Sequence, residues 1–165
     1  MITKLLDLER NFVRLAYDRL SPLPAGHRMF SRLVGMMAPY TGTIGAEVLE
    51  VRLGYARVRL TDRRAVRNHL DCVHAIALAN LAELTGNLAL SYSMPDDARF
   101  IVAGMNIDYV KKARGAIVGE CECVVPETSE RREYPTPVTL RDAGGEIVAT
   151  ARLRTLVGPK KRRRD

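Results

Sequence analysis

The first 20 residues alternate apolar and polar positions with a helical period. Leu5, Leu8, Phe12, Leu15 and Arg19 recur every three or four residues, and Leu6, Val13 and Leu20 widen the stripe. This predicts an amphipathic helix over residues 3–20, with Thr3 as N-cap and Asp7 and Glu9 near its positive end. The segment SPLPAG ends it, because two prolines and a glycine do not continue a helix. A second short helix is expected over residues 27–37, before PYTG. Both are expected to pack on the rest of the domain.

From Thr43 the period changes to two. Ile44, Ala46, Val48, Glu50 and Arg52 alternate with Gly45, Glu47, Leu49, Val51 and Leu53. Gly54 then turns the chain into YARVRL, and the pair reads as a hairpin. After the polar stretch TDRRAVRNHLDC comes a helix over residues 74–91. Strands are expected over residues 99–110, 116–125, 136–141 and 147–157, all rich in β-formers or alternating. Ala143-Gly144-Gly145 marks a tight connection between the last two. Several antiparallel strands around one mid-sequence helix indicate an α+β fold rather than alternating α/β. The organisation expected is a helical extension over residues 1–40, a sheet-and-helix domain over 41–158, and a basic tail over 159–165.

The mid-sequence helix is the informative element. From Ala75 to Ala82 it is apolar on every side except at Asn80. A helix without a polar face is a buried helix, and Ala75, Ala77, Ala79 and Ala82 are small enough for another backbone to come close. Glu83 then interrupts this apolar surface. Removing an ionised carboxylate from water without a partner is costly. Glu83 therefore either reaches solvent or a cation, or is kept as a general base. At the other end, Asn68 and His74 precede the helix start. The first N–H groups of a helix lack internal partners and its dipole makes that end positive. A carbonyl oxygen gaining negative charge in a tetrahedral transition state would be stabilised there. Asn68 also suits a turn, and Asp71 a cap or loop carboxylate. His74 and Glu83 are nine residues apart. At about 100° and 1.5 Å per residue they lie on opposite helix faces, roughly 13 Å apart along the axis. Within one chain they do not converge on one atom. Across a two-fold axis they could, which predicts composite sites, two per dimer.

Composition narrows the setting. A chain of 165 residues fits one domain. With aromatics at 5% and no Trp, aliphatic side chains must build the core. No apolar run approaches the roughly 20 residues needed to span a bilayer, and the charged N-terminus lacks the pattern of a secretory signal, so a cytoplasmic location is expected. Three cysteines, Cys72, Cys121 and Cys123, make a poor disulfide framework and are read as thiols. No metal site is expected. Of the net +7, the last six residues, KKRRRD, hold +4. That tract is read as a solvated tail. Nucleic-acid binding through it is the competing reading, and nucleic acid is not an expected partner of the domain itself.

The segment around the helix resembles a known family. Asn68, five residues, His74-Ala75, seven residues and Glu83 reproduce the active-site spacing of the hotdog-fold thioesterases. The branch concerned is similar to the phenylacetate-degradation and mammalian acyl-CoA thioesterases, with an Asn in the loop, a His-Gly-Gly opening the helix and an acid nine residues after the His. The stretch NHLDCVHAIALANLAELTG is more similar still to an uncharacterised branch with the same layout. The resemblance covers about residues 40–157. It implies a curved antiparallel sheet wrapped around the helix, with the two N-terminal helices as additions. It also implies hydrolysis of an acyl-CoA or acyl-carrier thioester in a homodimer or a dimer of dimers, with no cofactor beyond the CoA of the substrate. Glu83 would activate water or attack the thioester. The Ala75 N–H would form the oxyanion hole, supported by His74, and Asn68 would orient the water or the carbonyl. Lys111, Lys112 and Arg114 would meet the CoA phosphates. Two departures stand out: Ala75-Ile76 replaces Gly-Gly, and Glu replaces the Asp common in this branch. Ile76 narrows the approach, so a non-catalytic acyl-CoA or acyl-carrier binding protein remains the alternative.

Overall fold

The structure, a computed structural model, describes residues 10–160. Helices α1 (Phe12–Leu20), α2 (Gly26–Met37) and the single turn α3 (Pro39–Gly42) lead into the hairpin of β1 (Glu47–Arg52) and β2 (Tyr55–Leu60). A 3-10 turn at Arg64–Val66 precedes the long helix α4 (Ala75–Ser93). Strands β3 (Ala98–Tyr109), β4 (Ile117–Glu122), β5 (Arg132–Arg141) and β6 (Ile147–Pro159) follow. The six strands form one antiparallel sheet in the order β1-β2-β4-β5-β6-β3. No helix among the described residues is long and apolar enough to cross a membrane.

The core lies between α4 and the concave face of the sheet. Leu81, Ala82, Ala89 and Leu90 of α4 are fully buried, as are Leu60, Ile117, Leu140, Val148 and Leu153 of the strands. The helix sits close because two glycines let it. A Cβ on Gly119 of β4 would stand 2.6 Å from Thr85 Oγ1, and one on Gly86 of α4 would stand 3.1 Å from the Thr136 methyl. The tilt of aromatics toward one place is equally telling. Tyr17 of α1 packs edge-on against Phe30 at 5.1 Å and Tyr92 at 5.8 Å, pinning the N-terminal helices to α4.

Three expectations are revised. The chain is not helical at Asn11, which has extended backbone and caps α1 by accepting from the Arg14 N–H. Its amide also donates to the carbonyls of Ser91 at 2.6 Å and Met94 at 3.0 Å. Arg14 reaches the Tyr92 and Met94 carbonyls at 2.8 and 2.7 Å. These are the carbonyls that a helix C-terminus leaves unmatched, so Asn11 gives up helical geometry to close the end of α4. The expected cap at Thr3 and the acids Asp7 and Glu9 lie outside the described residues, as does the tail from residue 161 on. Strand β1 begins at Glu47 rather than Thr43, because α3 and the left-handed Gly45 (φ 61°) come first. Strand β5 starts at Arg132, earlier than expected, and carries Pro135 and Pro137. Both pair with β6 past the last β4–β5 pair, Cys121↔Val138, so each stands where β5 has one paired neighbour, the place where a sheet tolerates proline.

Candidate functional site

The start of α4 is held by a miniature hairpin over residues 66–74. The His74 N–H donates to the Val66 carbonyl and the Asn68 N–H to the Cys72 carbonyl, at 2.8 and 2.9 Å. Asn68 Oδ1 accepts from the Leu70 N–H at 2.9 Å and, at 3.4 Å, from the Cys72 N–H and thiol. The side-chain oxygen of Asn68 thus shapes the loop, which leaves only its NH2 for a ligand. Asp71 takes a left-handed φ of 51° at the tip and pairs with Arg67 at 2.7 Å. It does not cap α4.

His74 does. Its Nδ1 accepts from the Ile76 N–H at 3.0 Å, which fixes the proton on the exposed Nε2 in the neutral ring. No acceptor among the described residues meets the Ala75 N–H. The Ala75 carbonyl accepts from Tyr109 Oη at 3.0 Å, tying the end of β3 to the same turn. His74 therefore occupies one amide of the helix tip and leaves the next one open.

Glu83 is half-buried, two turns further on. Among the described residues it makes no hydrogen bond or ion pair. By helical geometry it shares a sector of α4 with Ile76, Asn80 and Asn87. Sequence reasoning noticed Asn80 only as a break in apolarity, and it passed over Asn87. Asn80 is 5% exposed and donates to the Tyr40 carbonyl at 3.3 Å, while its Oδ1 has no partner. It lines a cavity of about 200 Å³ together with His74, Ile76, Tyr40 and Arg67. Asn87 Oδ1 is likewise buried and unmatched. The three-to-four spacing of Asn80, Glu83 and Asn87 on an apolar helix was the available signal. A larger groove of about 840 Å³ runs between α2, α3 and β1, and none of Asn68, His74, Ala75 or Glu83 lines it.

The basic loop after β3 lies against the helix start. The Val73 N–H donates to the Ala113 carbonyl at 2.8 Å, between Lys112 and Arg114, which are both exposed. Asp62 receives the Gly115 N–H at 2.9 Å and Arg67 Nε at 2.7 Å. The Arg67 hydrogen bond outweighs burial and holds the Asp62 carboxyl below its ordinary range. Lys111 is different. Its ammonium pairs with Asp142 at 2.7 Å and with Glu146, and those bonds push its pKa up. It is already neutralised by two carboxylates, which weakens it as a phosphate ligand. No group of three or more His, Cys, Asp or Glu that could hold a metal occurs among the described residues. The three cysteines are free.

Comparison with known proteins fixes the family. A family model described as Domain of unknown function (DUF4442) matches residues 26–157. The chain belongs to the DUF4442 family. No curated protein sequence matches it. A structural-genomics crystal structure is 30% identical, covers 90% of this chain and 99% of its own, and has a TM-score of 0.78. A Pseudomonas aeruginosa protein described as of unknown function and a probable thioesterase is 24% identical, covering 84% of this chain and 97% of its own, at a TM-score of 0.73. A thioesterase family protein from Silicibacter pomeroyi is 17% identical, covering 79% and 96%, at 0.68. These likenesses establish the hotdog fold of this DUF4442 protein, as its sequence led one to expect.

Proposed function

We propose that this DUF4442 protein is an acyl-CoA thioesterase-like hydrolase acting at a site shared between two subunits. The observation that carries the reading is the unpaired, half-buried carboxylate of Glu83, the one charged residue of α4, on a helix whose tip keeps the Ala75 N–H open. Glu83 activates water or attacks the thioester carbon. The Ala75 N–H of the other subunit takes the developing oxyanion, His74 holds that turn in shape, and the Asn68 NH2 orients water or carbonyl. Lys112 and Arg114 receive the CoA phosphates, with Lys111 a lesser contributor.

The sheet edges favour pairing through β3. On β1 the outward N–H groups of Val48 and Val51 are taken by Ser31 Oγ at 2.8 Å and Tyr17 Oη at 3.0 Å, so that edge is closed. Strand β3 is 12 residues long and, among the described residues, pairs only with β6. Long open edges are templates for another strand, and a second β3 about a two-fold axis would extend the sheet. That arrangement sets one subunit's helix tip beside the other's Glu83.

The alternative, an acyl-CoA or acyl-carrier binding protein without turnover, is favoured by Ile76. Its side chain is 54% exposed beside the helix start, where the resembled family has glycine. Hydrolysis of a panel of acyl-CoAs by wild type and Glu83→Gln separates the two. Loss of general-base catalysis lowers turnover by about 10²–10⁴-fold. Turnover unchanged by the substitution overturns the role of Glu83. Binding of acyl-CoA without any turnover by wild type overturns the hydrolase reading.

A further inference from the structure

A second cavity, of about 230 Å³, lies between the N-terminal helices and α4. Its walls include Val13 of α1, Leu33, Val34 and Met37 of α2, Leu88 of α4 and Phe100 of β3. The cavity is partly open to solvent, and its roof is firmly fixed: Asn11 and Arg14 bind the carbonyls at the end of α4, and Tyr17 packs against both Phe30 and Tyr92. The space is therefore built into the way the helices are anchored.

Its orientation is ordered along α4. The helix contributes Leu84, Asn87, Leu88 and Ser91 to the lining, so the cavity begins beside Glu83 and runs about 10 Å toward the helix end. The lining residue with an unmatched polar atom, Asn87 (Oδ1), lies one turn beyond Glu83. Apart from Thr41 and Ser91, the rest of the lining is hydrocarbon. A polar head followed by an apolar tail is the order of atoms in a fatty acyl thioester.

We infer that this cavity is the acyl-chain subsite, taking a straight saturated tail of medium length beneath the N-terminal helices. The inference rests on the hydrolase or acyl-binding reading above and adds the class of acyl group. At about 30 Å³ for each water-sized group, the volume accommodates roughly seven or eight methylenes, the tail of an octanoyl group. Longer tails have to lift α1 from its anchors.

The test uses the full chain and butanoyl-, hexanoyl-, octanoyl-, dodecanoyl- and hexadecanoyl-CoA, with both affinity and turnover measured. Binding should tighten by about fourfold per methylene up to octanoyl and then level or fall. Val34→Phe and Val13→Phe, which add bulk to the roof from two different helices, should each weaken octanoyl-CoA binding by about tenfold or more, the worth of two lost methylenes. Butanoyl-CoA, whose short tail leaves most of the cavity empty, should lose less affinity than octanoyl-CoA, and an unchanged circular dichroism spectrum shows that the variants fold. Affinity that ignores chain length, or a length preference that both variants leave unchanged, overturns the cavity assignment while Glu83-dependent hydrolysis can still stand. Length-dependent binding shifted by the variants, with no turnover, supports the cavity and removes the hydrolase.

Discussion

Val73 donates its backbone N–H to the carbonyl of Ala113 at 2.8 Å. That bond joins the loop before α4 to the loop after β3. Under the proposed function, it links the open Ala75 N–H to the segment that carries Lys112 and Arg114.

This coupling predicts where charge removal acts. Lys112→Ala/Arg114→Ala should raise KM for acyl-CoA by about tenfold with little change in kcat, since two exposed cations bind phosphate without entering the chemistry. For the same acyl group on pantetheine, which lacks the nucleotide phosphates, KM should not move. The wild-type preference for CoA should also shrink at high salt. Equal effects on both substrates would assign the two residues to fold rather than to phosphate.

Acid should loosen the same two loops through Asp62. Its carboxyl is held below 3.8 by the Arg67 hydrogen bond, and it also receives the Gly115 N–H. A group whose folded pKa is depressed contributes stability above its unfolded pKa and loses it as pH falls through the folded value. Hydrogen exchange at Gly115 and in residues 66–74 should therefore accelerate below pH 3.8 before the core strands open. In Asp62→Asn that acid-dependent step should be missing, the exchange being already fast at neutral pH.

How far the sequence carried this far depends on the range of each interaction. Helix α4 and the alternating strands were legible, because their periods are local and their burial on one face is what the period reports. Asn68, His74 and Glu83 were legible as a spacing. Their partners were not. That His74 spends Nδ1 on the Ile76 N–H, and Asn68 its oxygen on Leu70 and Cys72, follows from backbone turns that no period encodes. Asn11 broke the expected first helix because its partners sit 80 and more residues away at the end of α4. Lys111 looked like Lys112, and only the turn between β5 and β6, which brings up Asp142 and Glu146, tells them apart. The early start of β5 was not legible either, since whether Pro135 costs a ladder bond depends on where the neighbouring strand ends.

The closeness of α4 to the sheet can be tested at one contact. A methyl at Gly119 would fall 2.6 Å from Thr85 Oγ1 and 3.0 Å from Leu140 Cδ2, all fully buried. Gly119→Ala should destabilise the fold by about 1–3 kcal/mol through overpacking, read as a lower denaturation midpoint. Thr85→Ala removes one of the two clashing groups, so the double variant should recover part of that loss, a coupling expected of residues in contact. Additive losses would mean that the helix already stands further from β4.

The proposed site shared between two subunits makes the sharpest demand on β3. Ile101 is 65% exposed near the middle of an edge whose counterpart on β1 is closed by Ser31 and Tyr17. If two β3 edges pair, Ile101→Lys sets like charges close together across the two-fold axis, and like charges on facing strands repel. The variant should sediment as a monomer, keep its helical circular dichroism and lose acyl-CoA turnover together with its partner. Mixing it with Glu83→Gln subunits should restore little, because both partners need a β3 that can pair. Mixing Glu83→Gln with a variant defective only at the helix tip, Ala75→Pro, should instead regain up to about a quarter of wild-type activity. Random pairing makes half of the dimers mixed, and one of the two sites in each mixed dimer then combines an intact Glu83 with an intact Ala75 N–H. A monomer with full turnover would place oxyanion hole and acid within one chain, against the roughly 12 Å of helix axis that separates Ala75 from Glu83.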